Sequence, residues 1–459
     1  MGVEKGVACS HWPVQIQPPL DGMVWRSLAL LAGKLPVKPE MAGFMHLRPK
    51  LIALVVLMSA IVGSACAFFL WSLDAVTKVR FEHPWLLWFL PVGGMAVAWL
   101  YHRHGGSSDG GNNLILDRIH DPGGGVPRRM APLVLFGTLV THLFGGSAGR
   151  EGTAVQMGGS IASAVARRFQ LDADQLPVLL MAGVAAGFGA VFGTPLAGAV
   201  FAVEVVVIGR PKLWALPICL LASYAGDWIC RAWKAGHSHY HIDGIAEPLT
   251  AGFVNAGMIW KVLLAAVAFG LVGWLFSTLC HRLSAGLKRW VPNPVWRPAV
   301  GGVAVIGLYL LVGRADYLGL GVWSPDPGAV TLTSLFESPG VHSWDWAWKL
   351  VFTVVTVSSG FKGGEVTPLF FIGAALGNAL AGVLGAPPEL FAGLGMVAVF
   401  AAASNTPLAC TLMGIELFGV GYTLPIALVC GVAFLCSGHA GIYRSQRFAL
   451  KKPLWRRLD

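Results

Sequence analysis

Residues 146–159 of this chain read GSAGREGTAVQMGG, and residues 360–373 read GFKGGEVTPLFFIG. The residues that recur in the second stretch, at an offset of 214, are Gly146, Gly149, Glu151, Thr153 and Gly159. Each stretch therefore places one glutamate and one threonine among glycines. A motif repeated at so long an interval is typical of a duplicated fold, in which the same structural unit occurs twice.

A second motif follows the first in each half of the chain. The tetrapeptide TPLA occupies residues 194–197, with Glu204 seven positions beyond it, and recurs at residues 406–409, with Glu416 at the same interval. The offset is 212, so two different motifs recur in the same order at nearly one spacing. Because proline lacks an amide hydrogen and clashes with the preceding helical turn, the apolar segment 176–208 is expected to break just before its TPLA.

The composition points to the membrane. Only 12% of the 459 residues are charged, against about a quarter in ordinary soluble domains, and 55% are hydrophobic. Glycine occupies 59 positions, and the mean hydropathy is +0.65. Small residues allow helices to approach closely inside a bilayer. This composition excludes a soluble enzyme and predicts an integral membrane protein.

Uncharged runs, each close to the length that crosses about 30 Å of hydrocarbon, recur along the chain. They occupy residues 51–73, 85–101, 131–149, 262–280, 298–313, 366–388, 390–415 and 417–438. We predict a transmembrane domain over 51–443, with repeat halves at 51–225 and 256–443, a cytoplasmic N-terminal extension over 1–50 and a basic cytoplasmic tail over 444–459. Six Lys or Arg residues lie in the first fifty positions and six follow the last run, which predicts that both termini face the cytoplasm.

Glycine-rich helix starts inside the membrane are candidate anion sites. A helix that begins there leaves its first amide N–H groups unpaired and carries about half a positive charge at that end. An ionised Glu151 would fill such a site, and a protonated Glu151 would vacate it. Competition between an anion and a proton for one place predicts proton-linked anion movement. The alternative for Glu151 is a structural ion pair with Arg150 at the helix start.

Four motifs, in order, resemble the CLC family of chloride channels and anion/proton antiporters. They are residues 149–152, residues 194–204, residues 363–368 and the late Tyr443. The resemblance covers residues 50–450 and implies an all-α polytopic membrane protein, a CLC-type bundle of many tilted and half-spanning helices in two inverted-topology repeats. It also implies a homodimer in which each subunit has its own pore, with helix N-termini pointing at a central anion.

The resemblance also implies roles for individual residues. By position, Glu151 resembles the family's gating, proton-exchanging glutamate, and Tyr443 resembles the tyrosine whose hydroxyl faces the central anion. The other residues predicted to bind the anion are Asn112, Gly149, Arg150, Gly152, Val366 and Thr367, with Asn113, Glu365 and Glu204 as secondary candidates.

The chain departs from the chloride-selective members at residues 111–115, where Asn112 stands in place of their serine. In addition, Glu204 is followed by Val205, where chloride-type antiporters usually carry a second acid. These departures resemble the fluoride-exporting branch of the family, of the type with asparagine. Fluoride is small and strongly hydrated, and the Asn112 amide offers two N–H donors where serine offers one hydroxyl. The alternative for Asn112 is an ordinary turn before a helix.

The sequence thus predicts a fluoride/proton antiporter of the inner membrane that exports fluoride from the cytoplasm. Two alternatives stay open. The first is a chloride/proton antiporter or chloride channel on the same fold. The second is an intramembrane enzyme that uses Glu151 and Glu365 as a carboxylate pair.

We expect no cofactor, metal or nucleic-acid partner. The eight cysteines form no CxxC pair, and His237, His239 and His241 alternate without a thiol or a closely spaced acid, as in a solvated loop. The net charge of +10 comes from Lys and Arg residues that lie singly or in pairs between apolar runs, which is the pattern of membrane-protein loops.

Overall fold

The computed structural model describes residues 49–236, 240, 242, 256–337, 343–450 and 452. The N-terminal extension through residue 48 and the alternating histidines His237, His239 and His241 lie outside the described residues. The α-helices, numbered α1 to α16 in chain order, are Pro49–Glu82, Leu90–Leu100, Gly111–His120, Met130–Leu143, Glu151–Arg168, Leu176–Phe192, Pro195–Glu204, Leu216–Ala232, Ala256–Trp290, Arg297–Val312, Ser334–Glu337, Asp345–Ser358, Val366–Leu384, Pro388–Ser404, Pro407–Phe418 and Thr423–Cys436. Two short strands, β1 (Val207–Ile208) and β2 (Arg447–Phe448), pair in parallel.

The helices differ widely in length. Segments long and apolar enough to cross a membrane are Pro49–Glu82, Pro84–His120, Leu213–Ala232, Gly257–Trp290 and Val366–Leu384. The 34 residues of α1 rise about 51 Å, which exceeds the hydrocarbon thickness of about 30 Å. The 10 residues of α7 rise only about 15 Å, or half of it. The predicted all-α, multi-pass bundle of long and half-spanning helices is therefore confirmed.

The apolar segment 176–208 breaks where the sequence predicts. Helix α6 ends at Phe192, Gly193 adopts a left-handed φ of +71°, and α7 begins at Pro195. The second half repeats this arrangement, because Asn405, with φ +59°, ends α14 just before α15. The duplicated motifs thus produce duplicated helix breaks.

Each half contains one very close helix crossing. A Cβ atom on Gly158 of α5 would collide with the carbonyl oxygen of Gly183 in α6, and the reverse also holds. In the second half, Gly373 of α13 and Gly395 of α14 stand in the same mutual relation. Only glycine permits this approach, in which two backbones touch without side chains between them. The two crossings fix the positions of α5 and α13, the helices that begin at the repeated glycine-rich motifs.

The chain after α16 packs back onto the bundle. The Gln446 side chain donates to the carbonyl oxygens of Val205, at 3.0 Å, and Ser404, at 2.8 Å. Lys452 is fully buried, and its Nζ donates to Oδ1 of Asn405 at 2.7 Å. The described residues of the predicted basic tail, 444–450 and 452, are therefore docked against the helix break that follows α14.

Candidate functional site

The two glycine-rich motifs meet in space. Gly149 and Gly364 exchange two backbone hydrogen bonds, at 2.6 and 2.7 Å, just before α5 and α13 begin. A Cβ on Gly364 would lie 2.7 Å from the amide nitrogen of Gly152, so glycine is required for this contact. Helix α5 starts at Glu151 and α13 starts at Val366, so the positive ends of two helices converge.

The carboxylate of Glu151 lies between these helix starts. Its Oε2 atom accepts hydrogen bonds from the amide nitrogens of Arg150, at 3.2 Å, and Thr367, at 3.1 Å. The Thr367 hydroxyl lies 2.6 Å from both carboxylate oxygens. Glu151 is only 1% exposed, so it faces neither lipid nor bulk solvent. The Glu151 side chain therefore occupies the space between the two helix starts, where the sequence predicts an anion site.

The predicted ion pair of Glu151 with Arg150 is present but is not the dominant contact. The Arg150 Nε atom lies 3.5 Å from Oε1 of Glu151, a longer approach than that of Thr367. Arg150 Nε also has no hydrogen-bond partner of acceptable geometry among the described residues. The structural alternative for Glu151 thus accounts for only part of its surroundings.

Cavities lie at the two ends of α10, on either side of the Glu151 pocket. The first, of about 470 Å³, is lined by Arg297 and Pro298 at the start of α10, and the second, of about 380 Å³, by Gly313 just after its end. The 16 residues of α10 rise about 24 Å, so the cavities approach the site from opposite ends of the bundle. Glu151 lines neither cavity.

Four of the predicted anion-binding residues line the first cavity: Asn112, Asn113, Glu365 and Tyr443. The Asn112 side chain makes no hydrogen bond within the described residues, and its Oδ1 is buried without a partner. A Cβ on Gly152 would lie 3.2 Å from Asn112 Nδ2, which places the free amide beside the start of α5. The anion could meet only the Nδ2 hydrogens of this amide, because the buried Oδ1 is an acceptor.

The first cavity is rich in cationic side chains. These are Lys288, Arg297, Lys362 and Arg444. Lys362 forms an ion pair with Asp109 at 2.5 Å and lies 4.1 Å above the Tyr101 ring, so its charge is partly neutralised. The remaining positive charges favour entry of small anions.

Two secondary candidates have other partners. The Oδ1 atom of Asn113 accepts the backbone N–H of Ser445 at 3.1 Å and so anchors the C-terminal segment. The Glu204 carboxylate accepts hydrogen bonds from the backbone amides of Leu408, at 3.0 Å, and Ala409, at 2.8 Å, at the start of α15. Glu204 therefore caps a helix of the other half.

Glu416, the repeat equivalent of Glu204, makes the reciprocal contact. Its carboxylate accepts the amides of Leu196, at 3.0 Å, and Ala197, at 2.7 Å, at the start of α7. Each half of the chain thus supplies the carboxylate that caps the broken helix of the other half. The shared seven-residue interval between TPLA and glutamate was the available signal, but the interval does not reveal that the partners are exchanged.

The chain is similar in sequence to known channel proteins. A family model described as voltage gated chloride channel matches residues 93–438. A chloride/fluoride channel protein of Pseudomonas syringae pv. tomato is 46% identical over 421 residues, which make up 90% of each chain. A voltage-gated ClC-type chloride channel of Shigella flexneri is 29% identical over 315 residues, or 65% of this chain and 71% of its own.

Solved structures agree with the fold. The crystal structure of a CLC-type fluoride/proton antiporter has a TM-score of 0.81 and 35% sequence identity, over 87% of this chain and 98% of that one. The X-ray structure of a slow cyanobacterial Cl⁻/H⁺ antiporter has a TM-score of 0.72 at 21% identity, over 86% and 96% of the two chains. At that identity the second likeness describes the fold alone.

Proposed function

Because this chain belongs to the voltage-gated chloride channel family, whose members are channels and transporters and not enzymes, we propose that it is a fluoride/proton antiporter. In this proposal it exports fluoride from the cytoplasm in exchange for protons. Glu151 is the gate, and it alternates between the ionised form, which fills the anion pocket, and the protonated form, which leaves it. The intramembrane enzyme with a Glu151/Glu365 pair is thereby excluded.

One observation carries the proposal. The Glu151 carboxylate accepts two backbone amides and the Thr367 hydroxyl at converging helix starts, where a halide would find the same donors. Protonation removes the charge that holds the side chain there, so the pocket becomes available to an anion. A fluoride ion and a proton would then be moved by opposite states of one side chain, which is the requirement for exchange.

The choice of fluoride is supported by Asn112 and by two similar proteins. Fluoride is small and strongly hydrated. It gives up its water only where hydrogen-bond donors of the protein surround the ion at short distances. The Nδ2 group of Asn112, beside the start of α5, and the hydroxyl and amide of Thr367 would supply donors of that kind. A chloride/fluoride channel protein at 46% identity and a fluoride/proton antiporter at 35% identity make fluoride the favoured halide.

The setting of this activity is part of the proposal. We place the transport domain at 51–443, with halves at 51–225 and 256–443, in the inner membrane with both termini in the cytoplasm. The cationic first cavity then faces the cytoplasm, because it lies beside Arg444 at the start of the C-terminal segment. The functional unit is a homodimer in lipid with one pathway in each subunit.

Comparison of the two halides in proteoliposomes tests the proposal. Vesicles are loaded with potassium fluoride or potassium chloride, and an ionophore makes their membrane permeable to potassium. Anion release and internal pH are then recorded together. We expect fluoride release several-fold faster than chloride release, with protons driven uphill by the fluoride gradient. Faster chloride release would favour the chloride antiporter or channel, and fluoride release without proton movement would favour a channel.

A further inference from the structure

Arg80, near the end of α1, lines the second cavity and has no ordinary partner. It is 8% exposed, and its Nε is buried without a hydrogen bond within the described residues. The guanidinium group stacks 4.3 Å from the Phe81 ring centroid and lies beside Gly319, where a Cβ would be 3.9 Å from its Cζ. A buried cation without a carboxylate is costly to maintain.

Lys349 of α12 is a second buried cation behind the same cavity wall. It is fully buried, and its Nζ donates to the carbonyl oxygens of Tyr317, at 3.1 Å, and Gly319, at 2.9 Å. A Cβ on Gly321, which lines the cavity, would lie 3.2 Å from this Nζ. Among the described residues no carboxylate comes within ion-pair distance of Lys349. Arg80 and Lys349 therefore lie against the same short loop, residues 319–321. Arg80 and Lys349 are referred to below as the outer cationic cluster.

The acids at the second cavity do not neutralise the outer cationic cluster. Asp316 is paired with Arg314 at 2.7 Å. Asp326 lies in an exposed turn, where its Oδ1 accepts the Gly328 amide at 2.9 Å. The floor of the cavity is therefore positive, and the Arg80 side chain there is nine-tenths buried with its Nε donor unpaired.

The outer cationic cluster is linked to the gate through short contacts. Gly145, four residues after Thr141 in the loop that leads to Glu151, packs against Arg80, since a Cβ there would lie 3.8 Å from Nη1. On the other side, the Thr353 hydroxyl donates to the Lys349 carbonyl at 2.8 Å and lies 2.9 Å from the Ser147 hydroxyl. An anion at the cavity floor would thus lie next to the segment that carries Glu151.

We infer that the outer cationic cluster is a halide-binding site, separate from the Glu151 pocket, where an anion waits on the far side of the gate. The halide would contact the Arg80 guanidinium at the cavity floor, and Lys349 would supply further positive potential from behind. This inference rests on the proposed function, since it adds a second station to the route of the same transported anion. Its chemistry is that of a monovalent anion that is held by unpaired cationic donors.

Sodium fluoride titration of the full chain in detergent, followed by calorimetry, tests the site. We expect Arg80→Gln to raise the fluoride dissociation constant by at least about tenfold, which corresponds to the loss of one charge-assisted contact. Lys349→Met should raise it by a smaller factor, because Lys349 acts through its charge from behind the cavity wall. Arg80→Lys keeps the charge and should stay within about threefold of the wild type. Lys78→Gln is the matched control, because Lys78 lies on the same helix in an exposed ion pair with Asp74.

A location measurement accompanies the titration. Crystals soaked in sodium bromide should give an anomalous peak within about 4 Å of the Arg80 guanidinium, a contact distance for a charged pair, and no such peak in Arg80→Gln. Wild-type titration curves in both neutralising variants, or no bromide at Arg80, would overturn the inference. If the wild type still carries fluoride in vesicles, the proposed function survives that result. If the wild type carries no fluoride in vesicles, the proposed function itself is refuted.

Discussion

The hydroxyl of Thr367 lies 2.6 Å from both carboxylate oxygens of Glu151, although 216 positions separate the two residues. The Thr367 amide adds a third contact, at 3.1 Å. The start of one repeat therefore holds the glutamate of the other. Because the two motifs are copies, Thr367 corresponds to Thr153, yet Thr153 instead contacts the Thr138 hydroxyl at 2.7 Å. Duplication produced both glycine-rich motifs. The two copies then diverged, so that Thr367 contacts Glu151 while Thr153 has a different partner.

Replacing Glu151 by glutamine should abolish proton coupling. Glutamine mimics the protonated carboxyl group and cannot release a proton, so a fluoride gradient should no longer drive protons uphill. Internal pH and fluoride release in proteoliposomes measure this together. Glu389→Gln is the control, because Glu389, in the first turn of α14, lines neither cavity. Undiminished uphill proton movement in Glu151→Gln would refute the gate.

Replacing Thr367 by valine removes the hydroxyl but preserves the shape of the side chain. A hydrogen bond to a charged group contributes about 1.5–3 kcal/mol, so fluoride turnover should fall by at least about tenfold. Thr367→Ser restores the hydroxyl and should remain within about threefold of the wild type. Equal turnover of the valine and serine variants would show that the hydroxyl has no part in the exchange.

Asn112→Ser should weaken the preference for fluoride over chloride. Loss of amide donors that face the first cavity removes about 1–3 kcal/mol of discrimination, or roughly tenfold in the ratio of the two fluxes. The measurement is parallel fluoride and chloride release from the same vesicle preparation. Asn293→Ser is the control, because Asn293 caps an exposed turn through the amide of Val295. An unchanged ratio removes Asn112 from the selectivity filter.

Removal of either carboxylate that caps a helix of the other half, Glu204 or Glu416, should destabilise the bundle. Glu416→Ala leaves the amides of Leu196 and Ala197 unpaired, and Glu204→Ala does the same to Leu408 and Ala409, at about 1–3 kcal/mol for each buried amide. Both variants should unfold at lower temperature than the wild type, as followed by tryptophan fluorescence in detergent. Similar losses are expected from the two variants because their contacts are equivalent. A wild-type midpoint for either would contradict the capping role.

Docking of the C-terminal segment should depend on pH through Lys452. Burial lowers the pKa of Lys452 to about 7, from an ordinary value of 10.5. Between these values the undocked lysine binds a proton that the docked lysine does not, so docking weakens as pH falls from 10.5 to 7 and levels off below 7. Hydrogen exchange of residues 444–450, corrected for intrinsic rates, should show less protection at pH 7 than at pH 9.5. Lys452→Met should remove this dependence, and an unchanged dependence in that variant would assign it to another group.

Much of the architecture could be predicted from local signals. Gly193 followed by Thr194 and Pro195 marked a helix break because proline cannot continue a helix and glycine accepts left-handed backbone, and the break is where expected. The repeated glycine-rich motifs likewise placed helix starts at Glu151 and Val366. Composition alone identified the membrane, since water would not solvate such a surface.

The sequence by itself therefore determined the membrane environment, the duplication, the helix breaks and the presence of a glutamate at a buried helix start, because each follows from residues that are near neighbours in the chain. Only the tertiary structure decided which groups those residues meet. Thr367 holds Glu151, Glu204 and Glu416 cap each other's halves, Asn113 binds the Ser445 amide, and Asn112 is left without a partner. Such contacts join positions that lie hundreds of residues apart, and they are set by how the two halves pack, which no local pattern records.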